Sequence, residues 1–313
     1  MLARSALVAS GNDLDGALKW ISDQAAESGA AKAKKLEGRT AEEGLVGVAM
    51  LADGTGGVGV RGAMVELSCE TDFVARTDEF RELLESIARS LAFFAEPAPT
   101  SPTSTASPVH ITAHTPASIA DVPLLPPPSA SKAPTPLVDG PLPTIGSSIA
   151  TTVSRLGENI SLRRAVSVAV EPVLPGSSLH FASSYLHGAQ PAPASASFSS
   201  GTIASLLVFK LPSGGEVEKP ALTAFARAIA RQVVAVPTTS VRSDGGEKRD
   251  EEVSTVLYEQ PLMTLSSSDK LEFEQGSLVG SVLRKWSDQA GVEGEGLEVL
   301  EVRRWEVGGS QEP

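Results

Sequence analysis

Cysteine and aromatic side chains are scarce in this chain of 313 residues. Its single cysteine, Cys69, excludes an internal disulfide and any cysteine-based metal cluster. Aromatics make up only 4%, whereas Gly and Pro number 28 and 22, so part of the chain is not packed core. No apolar run approaches the roughly 20 residues that a bilayer-spanning helix needs, so no membrane contact is implied. The net charge of -12 comes without the clustered Lys and Arg of a phosphate-tracking surface, which argues against nucleic acid and fits protein partners. There is no Gly-rich phosphate loop, no H-E-x-x-H and no G-x-S-x-G, so no cofactor, metal site or covalent chemistry is indicated.

What is present is local patterning. Asn12 is positioned to cap a helix carrying Leu14, Ala17, Leu18, Ile21 and Ala25, the one clear helix of residues 1–29. The lysines 32, 34 and 35 that follow read as a solvated helix face rather than an RNA contact. Leu45, Val46, Val48 and Met50 lead to the turn cluster Asp53-Gly54-Thr55-Gly56-Gly57 and a second strand near 58–70, which predicts a hairpin. Val65, Leu67 and Cys69 alternate with Met64, Glu66, Ser68 and Glu70, as in a half-buried strand. Cys69 on the apolar face reads as a small core filler. Next comes Thr71-Asp72-Phe73-Val74, where Phe73 by residue type alone reads as core. Thr77, Asp78 and Glu79 then open an amphipathic helix carrying Phe80, Leu83, Leu84, Ile87, Ala88 and Leu91.

The same apolar offsets recur at Leu222, Phe225, Ala226, Ile229, Ala230 and Val233, after strand-like Ile203–Leu211. Two hairpin-plus-helix units are therefore expected. Between them, residues 97–143 hold 13 of the 22 prolines and no apolar periodicity, which predicts a disordered insertion. Smaller insertions of this kind are expected at 190–200 and 238–252. Order is expected to resume at Leu156–Arg164, where Ile160 and Leu162 alternate with Ser161 and Arg163 as in an edge or half-exposed strand. For Arg163 and Arg164, a charged strand face and a direct partner contact are both open. Gly276–Leu283 reads as a helix, and Val299, Val302, Trp305 and Val307 as a terminal strand.

Glu70-Thr71-Asp72-Phe73-Val74 resembles the TDFV signature of elongation factor Ts, the nucleotide-exchange partner of the translational GTPase elongation factor Tu. Further segments are similar to that family in its own order. They are Gly157-Glu158-Asn159-Ile160 with Arg163-Arg164, Tyr185-Leu186-His187-Gly188-Ala189, and Gln260-Pro261-Leu262. The resemblance implies an α+β fold: a truncated N-terminal helical segment of ubiquitin-associated type, then two related α/β core subdomains with antiparallel sheets. The corresponding boundaries are 1–37, 38–96 and 149–313, with the disordered insertion at 97–148.

The resemblance also implies function. Asp72 and Phe73 would insert near the magnesium and phosphate site of elongation factor Tu and promote GDP release. Thr71 and Val74 complete that motif, and Tyr185, His187 and Gly188 would belong to a second contact surface. This reverses the reading of Phe73 from core to wedge. The partner would be bound both with GDP and free of nucleotide, with no direct contact to nucleic acid. The family works in bacteria and organelles, and long Pro/Ser/Thr insertions are eukaryotic in character, so the mitochondrial matrix is the implied compartment. The family's usual opening helix and the helical hairpin that many bacterial members carry are not matched here. A further helix and an Arg-rich targeting segment are expected upstream, because the opening residues are not Arg-rich and acid-poor. The competing readings are a thiol-dependent enzyme pairing Cys69 with His187, and a helical adaptor built on the N-terminal segment.

Overall fold

A computed structural model describes residues 2–36, 38–97, 110–126, 142–172, 174, 176–188, 197–213, 217–243, 254–265, 273–292, 294 and 296–310. Two helices open the chain, α1 (Leu2–Ala9) and α2 (Leu14–Leu36), where one was expected. The break between them lies at Gly11 and Asn12, both at φ +65°. Asn12 is therefore not the cap. Asp13 is, its Oδ2 accepting from the Gly16 N–H at 2.8 Å. Ala6 and Ala17 are buried while Leu14 and Leu18 stay exposed.

A five-stranded sheet follows. It contains β1 (Glu43–Asp53), β2 (Val60–Cys69), β3 (Ile111–His114), β4 (Ile160–Val170) and, after β5 (Leu179–His187), the short β6 (Phe198–Gly201). The strand order is β3-β4-β2-β1-β6, with every pairing antiparallel. The second sheet has the order β5-β7-β8, with β7 at Ile203–Leu211 and β8 at Glu298–Glu306. On one face of the first sheet lie the single-turn α3 (Asp72–Ala75), α4 (Asp78–Phe94), the four-residue α5 (Pro116–Ile119) and α6 (Ile145–Leu156). On the far face of the second sheet lie α7 (Lys219–Ala235) and α8 (Val279–Gln289).

The sheets stack face to face, giving four layers. Val46, Val48, Met64, Val166 and Val168 meet Ala182, Ala204, Leu206, Val208 and Trp305 between them. Along β7, Leu207 and Phe209 point instead toward α7 and α8. Both faces of β7 are thus covered, which is why its sequence is a nearly unbroken apolar run. The α+β expectation is met, with antiparallel sheets and a helix packed behind each one.

Five details differ from the sequence expectation. First, β2 is buried on both faces rather than half-buried: Met64, Glu66 and Ser68 are buried too, Met64 in the core between the sheets. Second, β4 continues past Arg164 as an interior strand, where β3 pairs with 165–168, while at its start Ile160 and Leu162 are buried and Ser161 and Arg163 half-exposed, as expected. Third, β3 itself comes from the Pro-rich segment expected to be disordered. Ile111 and Ile119 from that segment are core residues, and α6 begins within it behind a Thr144–Ser147 capping box. Of that expected insertion, residues 98–109 and 127–141 lie outside the described residues. Fourth, Phe198–Ser200, placed in an insertion, pairs with β1, while 190–196 lies outside the described residues. Fifth, 238–243 is ordered: the Thr239 N–H donates to Thr255 O at 2.9 Å, and 244–252 lies outside the described residues. The sheet boundary therefore differs from a split at residue 149, since β4 and β6 complete the first sheet.

Gly54 shows how closely the sheets approach. It sits at φ +87°, and a Cβ there would lie 2.4 Å from His180 O on β5.

Candidate functional site

The chain leaves β2 at Cys69 and turns within three residues into α3. Thr71 is the N-cap, with extended backbone (φ -131°, ψ 150°), and its side chain accepts from the Val74 N–H. Arg76 closes the turn, and Thr77 caps α4 by accepting from the Phe80 N–H at 3.3 Å. Two caps six positions apart thus tie a single helical turn between a strand and a long helix. Val74 and Ala75 anchor it in the first core, Val74 at 8% exposure. Val74 therefore lies under the turn as an anchor, not on a contact face. Phe73 points the other way and is 79% exposed, an unusual position for a large apolar side chain. Beside it, Asp72 pairs with Arg76 at 2.9 Å, both well exposed.

The approach to the turn is held from the α6–β4 connection. Glu158 accepts from the Thr71 N–H at 3.1 Å through one oxygen and from the Thr71 hydroxyl at 2.8 Å through the other. Asn159 donates its N–H to Glu70 Oε1 at 2.7 Å and its side-chain amide to Arg39 O at 2.8 Å. Arg39 and Glu70 close the ring with an ion pair at 3.4 Å. Below it, the Cys69 thiol donates to Thr71 O at 3.1 Å. Burial, reinforced by the Glu158 charge, pushes that thiol up to about 12.

Tyr185, His187 and Gly188 lie at the end of β5 in the second sheet. Tyr185 packs against the second core, with the Arg227 guanidinium 5.5 Å from its ring centre. His187 is exposed, and its carbonyl accepts from the Thr202 N–H at 3.0 Å. Gly188 takes φ +69°, and a Cβ there would meet Thr202 Oγ1 at 3.1 Å. Cys69 belongs to the first sheet and His187 to the second, and the buried thiol is held protonated. No thiol–imidazole pair supports the enzyme reading. Among the described residues no cluster of three or more His, Cys, Asp or Glu is arranged to hold a metal ion. No helix of the described residues is long and apolar enough to cross a membrane.

Arg163 and Arg164 have a structural assignment. A β-bulge in β4 opposite Glu66 and Leu67 brings both toward Glu66, which is fully buried. Arg164 Nε donates to Glu66 Oε2 at 2.5 Å and its guanidinium lies 4.7 Å from the Trp305 ring centre. Glu66 Oε1 accepts from the Gly308 N–H at 2.9 Å, and Arg163 donates to Gly309 O at 2.8 Å. These residues clasp the first sheet to the end of β8. Sequence reasoning left Glu66 and Glu158 without roles. The Gly157-Glu158-Asn159-Ile160 string was the only signal for Glu158, and nothing in the sequence marked Glu66.

No family model matches the chain. It is similar to curated proteins over nearly its whole length. One is elongation factor Ts, mitochondrial, of Coprinopsis cinerea, 37% identical over 317 residues, covering 98% of this chain and 86% of that protein. The same-named protein of Laccaria bicolor is 35% identical with the same coverage. Elongation factor Ts, mitochondrial 1, of Postia placenta is 34% identical, covering 95% of this chain and 99% of its own.

Proposed function

The chain belongs to the elongation factor Ts family, and from that premise we propose that Phe73, presented with Asp72 on the α3 turn, is the wedge by which it opens its partner. It is a guanine-nucleotide exchange factor for elongation factor Tu and acts in translation elongation in the mitochondrion. The work is non-covalent. The factor binds the GDP-bound and nucleotide-free partner, and it favours the form from which GDP has left.

The exposure of Phe73 on an otherwise anchored turn carries this reading. Burying a Phe side chain removes about 150–250 Å² from water, a gross gain of about 4–6 kcal/mol at roughly 25 cal/mol per Å². That gain drives exchange only to the extent that it is realised in the opened partner and not in the GDP-bound one. Linkage then requires that incoming nucleotide displace the factor in turn. Asp72 contributes the polar element and exchanges its Arg76 partner for groups on the GTPase. Tyr185, His187 and Gly188 supply a second contact from the other sheet, with Gly188 keeping the chain close to Thr202. Thr71 and Val74 hold the turn.

Phe73→Ala tests the proposal. Release of mantGDP from elongation factor Tu is expected to slow sharply, while the melting temperature stays near that of the parent chain, as for an exposed position. Unchanged release together with a loss of about 3–5 kcal/mol of stability, the cost of truncating a core Phe, would contradict it.

A further inference from the structure

Phe73 sits on a helix of one turn, too short to hold its own shape in water. Its direction is set by what grips the ends of the turn. At the N-terminal end that grip is Glu158, the middle residue of the three-residue link between α6 and β4. Both flanks of the link are fixed. Gly157 caps α6 in the left-handed region at φ +76°, donating its N–H to Val153 O, and Asn159 is buried and bonded to Glu70 and Arg39. Glu158 itself is half-buried and forms no ion pair among the described residues. Its two oxygens take the N–H and the hydroxyl of one residue, Thr71. The Thr71 oxygen in turn accepts from the Val74 N–H at 3.4 Å. A continuous chain of hydrogen bonds thus runs from the Glu158 carboxylate through Thr71 into the first turn, one residue beyond Phe73.

We infer that Glu158 is a positioning residue for nucleotide exchange. It touches no nucleotide, and it orients the Asp72–Phe73 turn through Thr71 so that the ring is presented ready to insert. A carboxylate suits this role because it accepts two hydrogen bonds at once and makes both of them charge-assisted. Preorganising the turn removes an ordering cost that would otherwise be met at the moment of insertion. This rests on the exchange reading above.

The test measures the maximal rate of mantGDP release from elongation factor Tu and the half-saturating concentration of the factor. It uses the parent chain, Glu158→Ala, Glu158→Gln, Phe73→Ala and the Glu158→Ala/Phe73→Ala double variant. Glu158→Ala is expected to lower the maximal rate by up to about a hundredfold, the order that an ångström-scale misplacement of a contacting group costs. Glu158→Gln, which keeps one acceptor and can donate to the Thr71 hydroxyl, is expected to recover most of the rate. In the Phe73→Ala background, Glu158→Ala is expected to cause no further loss, because a positioning residue has nothing left to position. Should Glu158→Ala melt early, Thr71→Val and Thr71→Ser make the same comparison. Loss with Val and retention with Ser sustain the proposal, and equal rates overturn it. Parent-like release by Glu158→Ala, or a loss that multiplies with that of Phe73→Ala, also overturns it. If the parent chain does not accelerate release at all, the exchange reading fails. If acceleration is present and lost in Phe73→Ala but untouched by Glu158→Ala, only the positioning role fails.

Discussion

Replacing Glu66 by alanine removes the one anion shared by Arg164, Arg163 and the Gly308 N–H. Glu66 is fully buried, and the two arginine side chains keep only 13% and 21% of their exposure. Removing one partner of a buried ion pair costs about 3–5 kcal/mol, because the remaining charge is left without compensation. Two features hold the cost at the lower end of that range. Arg164 still donates to Glu306 O and Ser310 O, and Gly308 is exposed enough to turn to water. About 3 kcal/mol corresponds to a drop of about 6–12 °C in melting temperature, at about 2–4 °C per kcal/mol for a chain of this size. Urea unfolding followed by tryptophan fluorescence is the assay, since Trp305 lies directly under the Arg164 guanidinium. Glu66→Gln, which keeps one acceptor, should fall between parent and alanine variant. Added salt should leave the difference unchanged, because the pair is shielded from solvent. A Glu66→Ala variant within about 0.5 kcal/mol of the parent chain, the range of an ordinary surface change, would show that the clasp does not hold the sheets together.

Three other outcomes follow from the geometry. With its thiol pushed up to about 12, Cys69 should resist a disulfide reagent at pH 8 in the folded chain and react fully in denaturant, since its thiolate population is about a thousandfold below that of a free thiol; rapid native labelling would count against its burial. Burial lowers His110, His114 and His180 below the ordinary 6.5, with His180 lowered further by His110 and Lys210, whereas Glu301 partly opposes the shift at His110. Above pH 6.5 these rings are neutral in both states, so their contribution is complete there. As pH falls the unfolded chain takes up protons that the folded chain refuses, and stability declines until the folded values are passed. Melting temperatures from pH 7.5 to 5 should show this decline, less steeply in His110→Asn, and an equal slope in both proteins would exclude His110 as a cause. Replacing residues 97–143 with a short linker should destabilise the chain, because β3 and the Ile111 and Ile119 side chains leave with them; Ile111→Ala alone should cost about 2–4 kcal/mol in urea unfolding, and an unshifted midpoint would mean β3 is dispensable.

Features governed by near neighbours were legible in the chain. The Thr77 cap and the apolar stripe of α4, the repeat of that stripe in α7, the hairpin of β1 and β2 and the closing strand β8 all follow from patterns a few residues long. The place of Phe73 was legible only through resemblance, since residue type by itself assigned it to the core. Tertiary structure decided what depends on distant partners. Glu66 is enclosed by Arg163, Arg164 and the residues after β8, and Ser68 is buried beside it on the same face, although their alternation with Val65 and Leu67 reads as an exposed face. Pairing with β4 orders Ile111–His114 in a Pro-rich segment whose composition argues for disorder. The bulge that turns both Arg163 and Arg164 onto Glu66 joins residues 98 positions apart, and the Glu158 grip on Thr71 spans 87. Periodicity reports which face of an element is apolar, and it carries no information about which remote carboxylate will meet which remote donor. Those pairings exist only once the layers have closed, when burial makes an unpaired charge or donor costly enough to select them.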